Sequence, residues 1–203
     1  MGALGPLERG DHARLDGMRI RAPDGGEFAG AFAAVDGYRG YRDWGLAVRR
    51  TILDALLLER ARAAGARLLE RATVRDLDRD GFGRVTGVIV QDDAGTRTLR
   101  ASLVIGADGL RSVVARRSGL GEHGRWPRRV ALVTHYRGLP CPEHAGEMRV
   151  YADGYAGFAP VGAGLTNVAL VIPAGRDAAI AGDPEGFFRR QLSRDPQVAA
   201  RLA

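Results

Sequence analysis

Ser102-Leu103-Val104-Ile105-Gly106-Ala107-Asp108-Gly109-Leu110-Arg111-Ser112 is the most informative stretch of this chain. Four residues, three of them strongly apolar, end abruptly in Gly-Ala-Asp-Gly, and a helix-like segment from Leu110 to Arg117 follows, stopped by Ser118-Gly119. The pattern predicts a buried strand that feeds a helix through a glycine turn. Glycine lets the backbone turn tightly and approach a ligand, and the first N–H groups of a helix favour phosphate. Asp108 is placed to accept hydrogen bonds from ribose hydroxyls. An Asp-Gly turn with an aspartate cap is also an ordinary way to begin a helix, so the motif by itself is compatible with a purely structural role.

Upstream of this turn, three extended runs are expected, Ala72 to Asp78, Val85 to Gln91 and Arg97 to Ala101. Asp80-Gly81 and Asp92-Asp93-Ala94-Gly95 connect them as hairpins, which makes an antiparallel meander. Before the meander, Thr51 to Leu69 places Ile52, Leu56, Leu57, Ala63 and Leu68 near helical spacing, with Gly65 suited to a left-handed C-terminal position. Earlier still, Leu15 to Arg21 and Glu27 to Phe32 flank Pro23-Asp24-Gly25-Gly26 and read as a hairpin. Downstream, Val130 to Arg137, Glu147 to Tyr151, Tyr155 to Val161 and Leu165 to Ile172 form a second antiparallel sheet. Asp183-Pro184-Glu185 opens an amphipathic helix over Gly186 to Leu192, and a short apolar stretch runs from Val198 to Leu202.

The 203 residues suffice for one large domain or two small ones, and 45% hydrophobic with 27% charged residues is a globular composition. No apolar run reaches the roughly 20 residues of a membrane helix, and Glu8, Arg9 and Asp11 interrupt any secretory leader. A cytoplasmic, unprocessed chain is expected. The net charge is +6, and all 30 basic residues are arginine, scattered rather than gathered into a nucleic-acid patch. No nucleic-acid partner is expected. The single cysteine, Cys141, excludes an internal disulfide, and Cys141-x-x-His144 with His123 and His135 lacks the second close pair that zinc requires. Asp92 and Asp93 read as turn residues, and no Gly-x-Ser-x-Gly nucleophile elbow occurs. No catalytic side chain is singled out and no metal is expected.

A second constellation lies at the start of the long helix, where Arg50 and Asp54 share a stripe beside Leu53 and Leu57. In order along the chain come Arg50-Thr-Ile-Leu-Asp-Ala-Leu-Leu57, Ala64-Gly-Ala66, Val74, Val104-Ile-Gly-Ala-Asp-Gly-Leu-Arg-Ser112, Arg116-Arg-Ser-Gly-Leu120 and Gly154-Tyr-Ala-Gly-Phe-Ala-Pro-Val-Gly-Ala-Gly-Leu-Thr-Asn-Val168. Together they resemble the FAD-dependent aromatic-hydroxylase-like flavoproteins, the superfamily that also holds geranylgeranyl reductases and flavin halogenases. The resemblance spans roughly Met18 to Leu202.

The resemblance implies a mixed α/β fold: a partial Rossmann-like FAD-binding domain at 46–120 and a substrate-binding domain with an antiparallel sheet from 14–45 and 121–203. It implies that Arg50 contacts FAD, that Val74 offers its backbone to the adenine, and that Gly106, Asp108 and Gly109 hold the ribose and diphosphate. Pro160 and Asn167 would lie toward the isoalloxazine or the substrate. The implied chemistry is flavin-dependent hydroxylation of a small organic substrate, with NADPH or NADH as reductant; the alternatives are reduction of a carbon–carbon double bond, or a non-catalytic remnant or binding subunit that needs a partner chain. Against the family pattern, the chain shows neither the opening Gly-x-Gly-x-x-Gly turn nor the later Gly-Asp-Ala segment. The expectation is therefore a partial chain, weak in flavin affinity alone and completed by a partner chain or by self-association through unfinished sheet edges.

Overall fold

The computed structural model describes residues 2–33, 37–38, 40–121, 128–175 and 177–202. In chain order the elements are α1 (Leu4–Arg9), β1 (Ala13–Leu15), β2 (Gly17–Arg21), β3 (Glu27–Ala31), β4 (Gly45–Ala47), α2 (Arg50–Ala63), β5 (Thr73–Arg79), β6 (Val85–Asp92) and β7 (Gly95–Arg100). They continue with α3 (Val113–Arg117), β8 (Arg129–Arg137), β9 (Ala145–Tyr151), β10 (Gly154–Pro160), β11 (Leu165–Pro173), α4 (Asp177–Gly182), α5 (Pro184–Leu192) and α6 (Pro196–Leu202). Two compact units result, one of Met1–Ala64 with Pro127–Ala203 and one of Gly65–Trp126. The mixed α/β class with antiparallel sheets is the one expected from the sequence.

The first unit is built on a six-stranded sheet in the order β3-β2-β9-β10-β11-β8. Every neighbour pair is antiparallel except β2 with β9, which run parallel with Gly17 beside Ala145 and Arg21 beside Arg149. The β2–β3 hairpin turns at Pro23-Asp24-Gly25-Gly26, where Gly25 has φ +88° and the Asp24 carboxylate accepts the Gly26 N–H at 2.9 Å. Strand alternation sorts the sheet into two faces. One face carries Ala156, Phe158, Val168, Leu170 and Ile172, all buried beneath Phe187, Phe188 and Leu192 of α5 and Val198 of α6. Asp183 caps α5 by accepting the Gly186 N–H, and Pro184 follows it in the first turn, where a missing N–H costs nothing. The opposite face carries Met18, Ile20, Met148, Ala159, Ala169 and Val171, none of them fully buried.

Helix α2 ends at Ala63 rather than Leu69, because Gly65 adopts φ +91° and closes the helix earlier than the apolar spacing suggested. The helix has no buried residue. α1, α4, α6 and the short β1–β4 pair complete this unit.

In the second unit, β5, β6 and β7 form the expected antiparallel meander, with a register shift between Val74 and Asp76. Two expectations fail here. Ser102 to Ile105 is not a strand: no described strand pairs with it, and Leu103 and Ile105 remain 73% and 79% exposed. The helix over Leu110 to Arg117 is also divided, into a 3-10 turn at Gly109–Arg111 and α3. Ser112 separates them at φ −45°, ψ 120°, because its hydroxyl leaves the helical path to cap α3 through the Ala115 N–H. Among the described residues no helix is long and apolar enough to cross a membrane.

Candidate functional site

The turn after β7 is organised by one carboxylate. Asp108 Oδ1 accepts the Ser112 hydroxyl at 2.5 Å, and Oδ2 accepts the Val113 N–H at 2.6 Å and the Val114 N–H at 3.4 Å. The Ser112 hydroxyl, with these N–H groups, holds the Asp108 carboxyl below the usual carboxylate range, so it is ionised at neutral pH. Gly106 is required by packing: a Cβ there would lie 2.7 Å from Val114 Cβ, far inside contact distance. Gly109 is required by conformation, since it sits at φ +75° with open space around it.

Val74, Leu99, Leu103, Gly106, Asp108 and Val114 line one cavity of about 380 Å³ within the second unit. Three of the expected cofactor residues, Val74, Gly106 and Asp108, thus come together on its wall although 32 to 34 positions separate Val74 from the other two. Its wall is mostly apolar, with the Asp108 carboxylate and Arg100 as its charged members. An ionised carboxylate offers about four acceptor positions, and the protein fills three, leaving capacity for a hydroxyl donor. The N–H groups of Val113, Val114 and Ala115 are already engaged by Asp108 and Ser112. The turn therefore presents an acceptor rather than a cradle of free helix-start donors. A free acceptor of that kind fits a ribose hydroxyl of FAD better than its diphosphate.

The other expected residues lie in the first unit. Arg50 opens α2, exposed, and its Nε and Nη2 donate to both oxygens of Asp54 at 3.0 and 3.1 Å. Pro160 pairs with Thr166 and Asn167 with Ala159, so the two stand on opposite faces of the sheet. Asn167 shares the open face with Ala159, Ala169 and Met148, while Pro160 follows the parity of the helix-covered face at the strand's end. Asp92 serves its turn, accepting the Ala94 N–H at 3.0 Å and pairing with Arg97 at 2.7 Å. Burial pushes the Cys141 thiol up to about 11, which leaves it protonated and unreactive at neutral pH. Among the described residues no group of three His, Cys, Asp or Glu side chains could hold a metal, and His123 lies outside them.

A charged cluster that the sequence reading missed lies on the helix-covered face. Arg149 and Glu147 are each 8% exposed, and Arg149 Nε donates to Glu147 Oε1 at 2.5 Å. Its Nη1 reaches Asp195 at 2.8 Å and its Nη2 the Gln197 amide oxygen at 3.0 Å. Arg201 closes the network on Glu147 Oε2 at 2.7 Å. Burial raises the Asp195 carboxyl, but the hydrogen bond and charge of Arg149 outweigh it and hold Asp195 below its ordinary range. No local spacing announces this group, since its members come from β9, from α6 and from the turn before α6.

Comparison with known proteins places these sites in context. The model of the FAD binding domain family matches residues 39–200. A digeranylgeranylglycerophospholipid reductase 2 of Methanopyrus kandleri is 34% identical over 161 residues, which is 75% of this chain and 37% of that protein. The structure superposes on the flavin-dependent halogenase CmlS with a TM-score of 0.83 at 21% identity, covering 100% of this chain and 37% of the halogenase. A geranylgeranyl bacteriochlorophyll reductase-like protein of Thermoplasma acidophilum gives a TM-score of 0.74 at 20% identity, over 98% of this chain and 51% of its own. The chain thus spans less than half the length of the curated relative it matches. With four fifths of its residues inside the family model, the chain belongs to the FAD binding domain family.

Proposed function

We propose that this chain contributes cofactor contacts and a substrate surface to an FAD-dependent oxidoreductase that reduces a carbon–carbon double bond in an apolar organic substrate, with NADPH or NADH as the reductant. The 34% identity to a digeranylgeranylglycerophospholipid reductase over three quarters of the chain carries this reading. The open sheet face supports it, because Met18, Ile20, Met148, Ala159 and Val171 with Gly157 make a shallow apolar floor without a charged group in its middle. When bound, FAD supplies the hydride chemistry, and the protein's task is to hold the cofactor, orient the substrate and keep water away.

In this reading Asp108 accepts a ribose hydroxyl, Val74 offers its backbone to the adenine, and Gly106 and Gly109 permit the turn that presents Asp108. Arg50 is a diphosphate contact that must exchange its bond to Asp54 for one to phosphate. Asn167 faces the substrate, and Pro160 shapes the rim beyond it. Hydroxylation of a small aromatic substrate is the second reading, favoured by Asn167, whose amide on the open face suits a substrate hydroxyl.

Product mass separates the two. The chain is loaded with FAD and supplied with NADPH or NADH in air, once with an unsaturated isoprenoid alcohol and once with a hydroxylated aromatic acid. Gain of two hydrogens per double bond is expected. Gain of one oxygen on the aromatic acid selects hydroxylation, and a flavin-loaded chain that turns over neither substrate, alone or joined to the segments its longer relatives add, overturns both readings.

A further inference from the structure

The helix-covered face of the six-stranded sheet changes chemistry across its width. On β10 and β11 it is apolar, but on β9 and β2 the register sets Glu147 beside Arg19 and Arg149 beside Arg21. Residues in register on adjacent strands share a face, so these four side chains are neighbours. Arg149 and Arg201 are locked: both oxygens of Glu147 are taken by them, Arg201 Nε and Nη2 also donate to Pro140 O at 3.0 and 2.6 Å, and its guanidinium lies 4.7 Å over the Phe158 ring. A role in fastening α6 to β9 accounts for Arg149, Arg201, Glu147 and Asp195.

It does not account for Arg19 and Arg21. Arg19 makes no hydrogen bond or ion pair among the described residues, and Arg21 donates only to the neutral amide oxygen of Gln197. A cavity of about 290 Å³ opens between them, walled by Arg19, Arg21, Cys141, Glu147, Arg149 and Arg201. Four guanidinium groups and two carboxylates line it, and Glu147, capped on both oxygens, does not confront the space with free negative charge. Glu27, in register with Arg21 on β3, stands exposed at the rim. Converging cations are the complement of an oxyanion, whose geometry matches the guanidinium fork.

We propose that this cavity is a site for a small oxyanion group, a phosphate monoester or a carboxylate, held by Arg19 and Arg21 against the fixed wall of Arg149 and Arg201. The site lies wholly within the first unit and does not depend on the flavin reading.

Calorimetric titration of the whole chain with inorganic phosphate and, separately, with acetate tests it, at constant ionic strength with chloride as the balancing salt. Saturable binding of at least one is expected, weakened at least tenfold in the Arg19→Ala, Arg21→Ala double variant. Binding of phosphate alone assigns a phosphate ester, and binding of acetate alone a carboxylate. Arg19→Gln serves as a second variant should the double variant fail to fold, because Arg19 makes no hydrogen bond or ion pair among the described residues. No saturable binding of either ion, or an unchanged affinity in a folded variant, overturns the proposal.

Discussion

Two apolar runs in this chain meet opposite fates. On β11, Val168, Leu170 and Ile172 are at most 4% exposed beneath α5 and α6, whereas Leu103, Ile105 and Leu110 are at least 73% exposed. Both runs would pass as buried strands by composition. What separates them is supply of partners: β11 pairs with β10 and β8 and is roofed by two helices, while residues 102–105 pair with no described strand. An apolar run states a need for cover and does not state who provides it. In the first unit the chain provides its own, and the core is closed. In the second, apolar side chains surround the Gly106 turn and remain available to a ligand.

The contrast can be broken by substitution. The largest effect is expected from Arg149→Ala in the first unit, which strips Asp195 and half of Glu147 of their counter-charge and should cost about 3–5 kcal/mol in urea unfolding. A shift below 1 kcal/mol would mean the network is not a structural tie. In the second unit, Gly106→Ala forces a methyl against Val114 and should cost about 1–3 kcal/mol, read as faster amide exchange across Val113–Arg117 than in the parent chain. Exchange unchanged there would show that α3 is not seated on the turn.

Acid gives a subtler handle. Asp195 is held below the ordinary carboxylate value of about 3.9, so its contribution is fully present above that value and is lost as pH falls through the lower folded value. Urea midpoints measured downward from about pH 4 should therefore drop more steeply for the parent chain than for Asp195→Asn. Parallel curves would contradict the pairing with Arg149. The smallest effect is expected at Ile105→Ala, within about 0.5 kcal/mol, because an exposed side chain gives up little on truncation. A loss comparable to a core substitution would erase the distinction between the two units.

What could be read from the sequence was local. Pro23 to Gly26, Asp80-Gly81 and Asp92 to Gly95 name their own turns, and strict alternation marks β10 and β11, so the hairpin, the meander and the antiparallel sheet follow from neighbours in the chain. Asp183 announced α5 by the same logic. The parallel pairing of β2 with β9 depends on residues far apart, and nothing near Met18 specifies Gly146 as its neighbour. Helix-like spacing over Leu110 to Arg117 concealed the break at Ser112, because Asp108 and Ser112 compete for N–H groups in a way that periodicity does not register. Of the site, Val74, Gly106 and Asp108 were named and do share a cavity. Pro160 and Asn167 were named as a pair, and strand parity divides them. The Arg149 network escaped because contributions from β9, α6 and the turn before α6 leave no spacing to see.

The central claim is that the Gly106 turn holds flavin through Asp108. Titration of the purified chain with FAD, followed by quenching of flavin fluorescence, tests it most directly. We predict saturable binding, at least tenfold weaker for Asp108→Ala, with Asp108→Asn, which keeps a helix cap, weakened as well. A folded chain that shows no saturable binding, or one whose affinity is the same in all three proteins, would contradict the account.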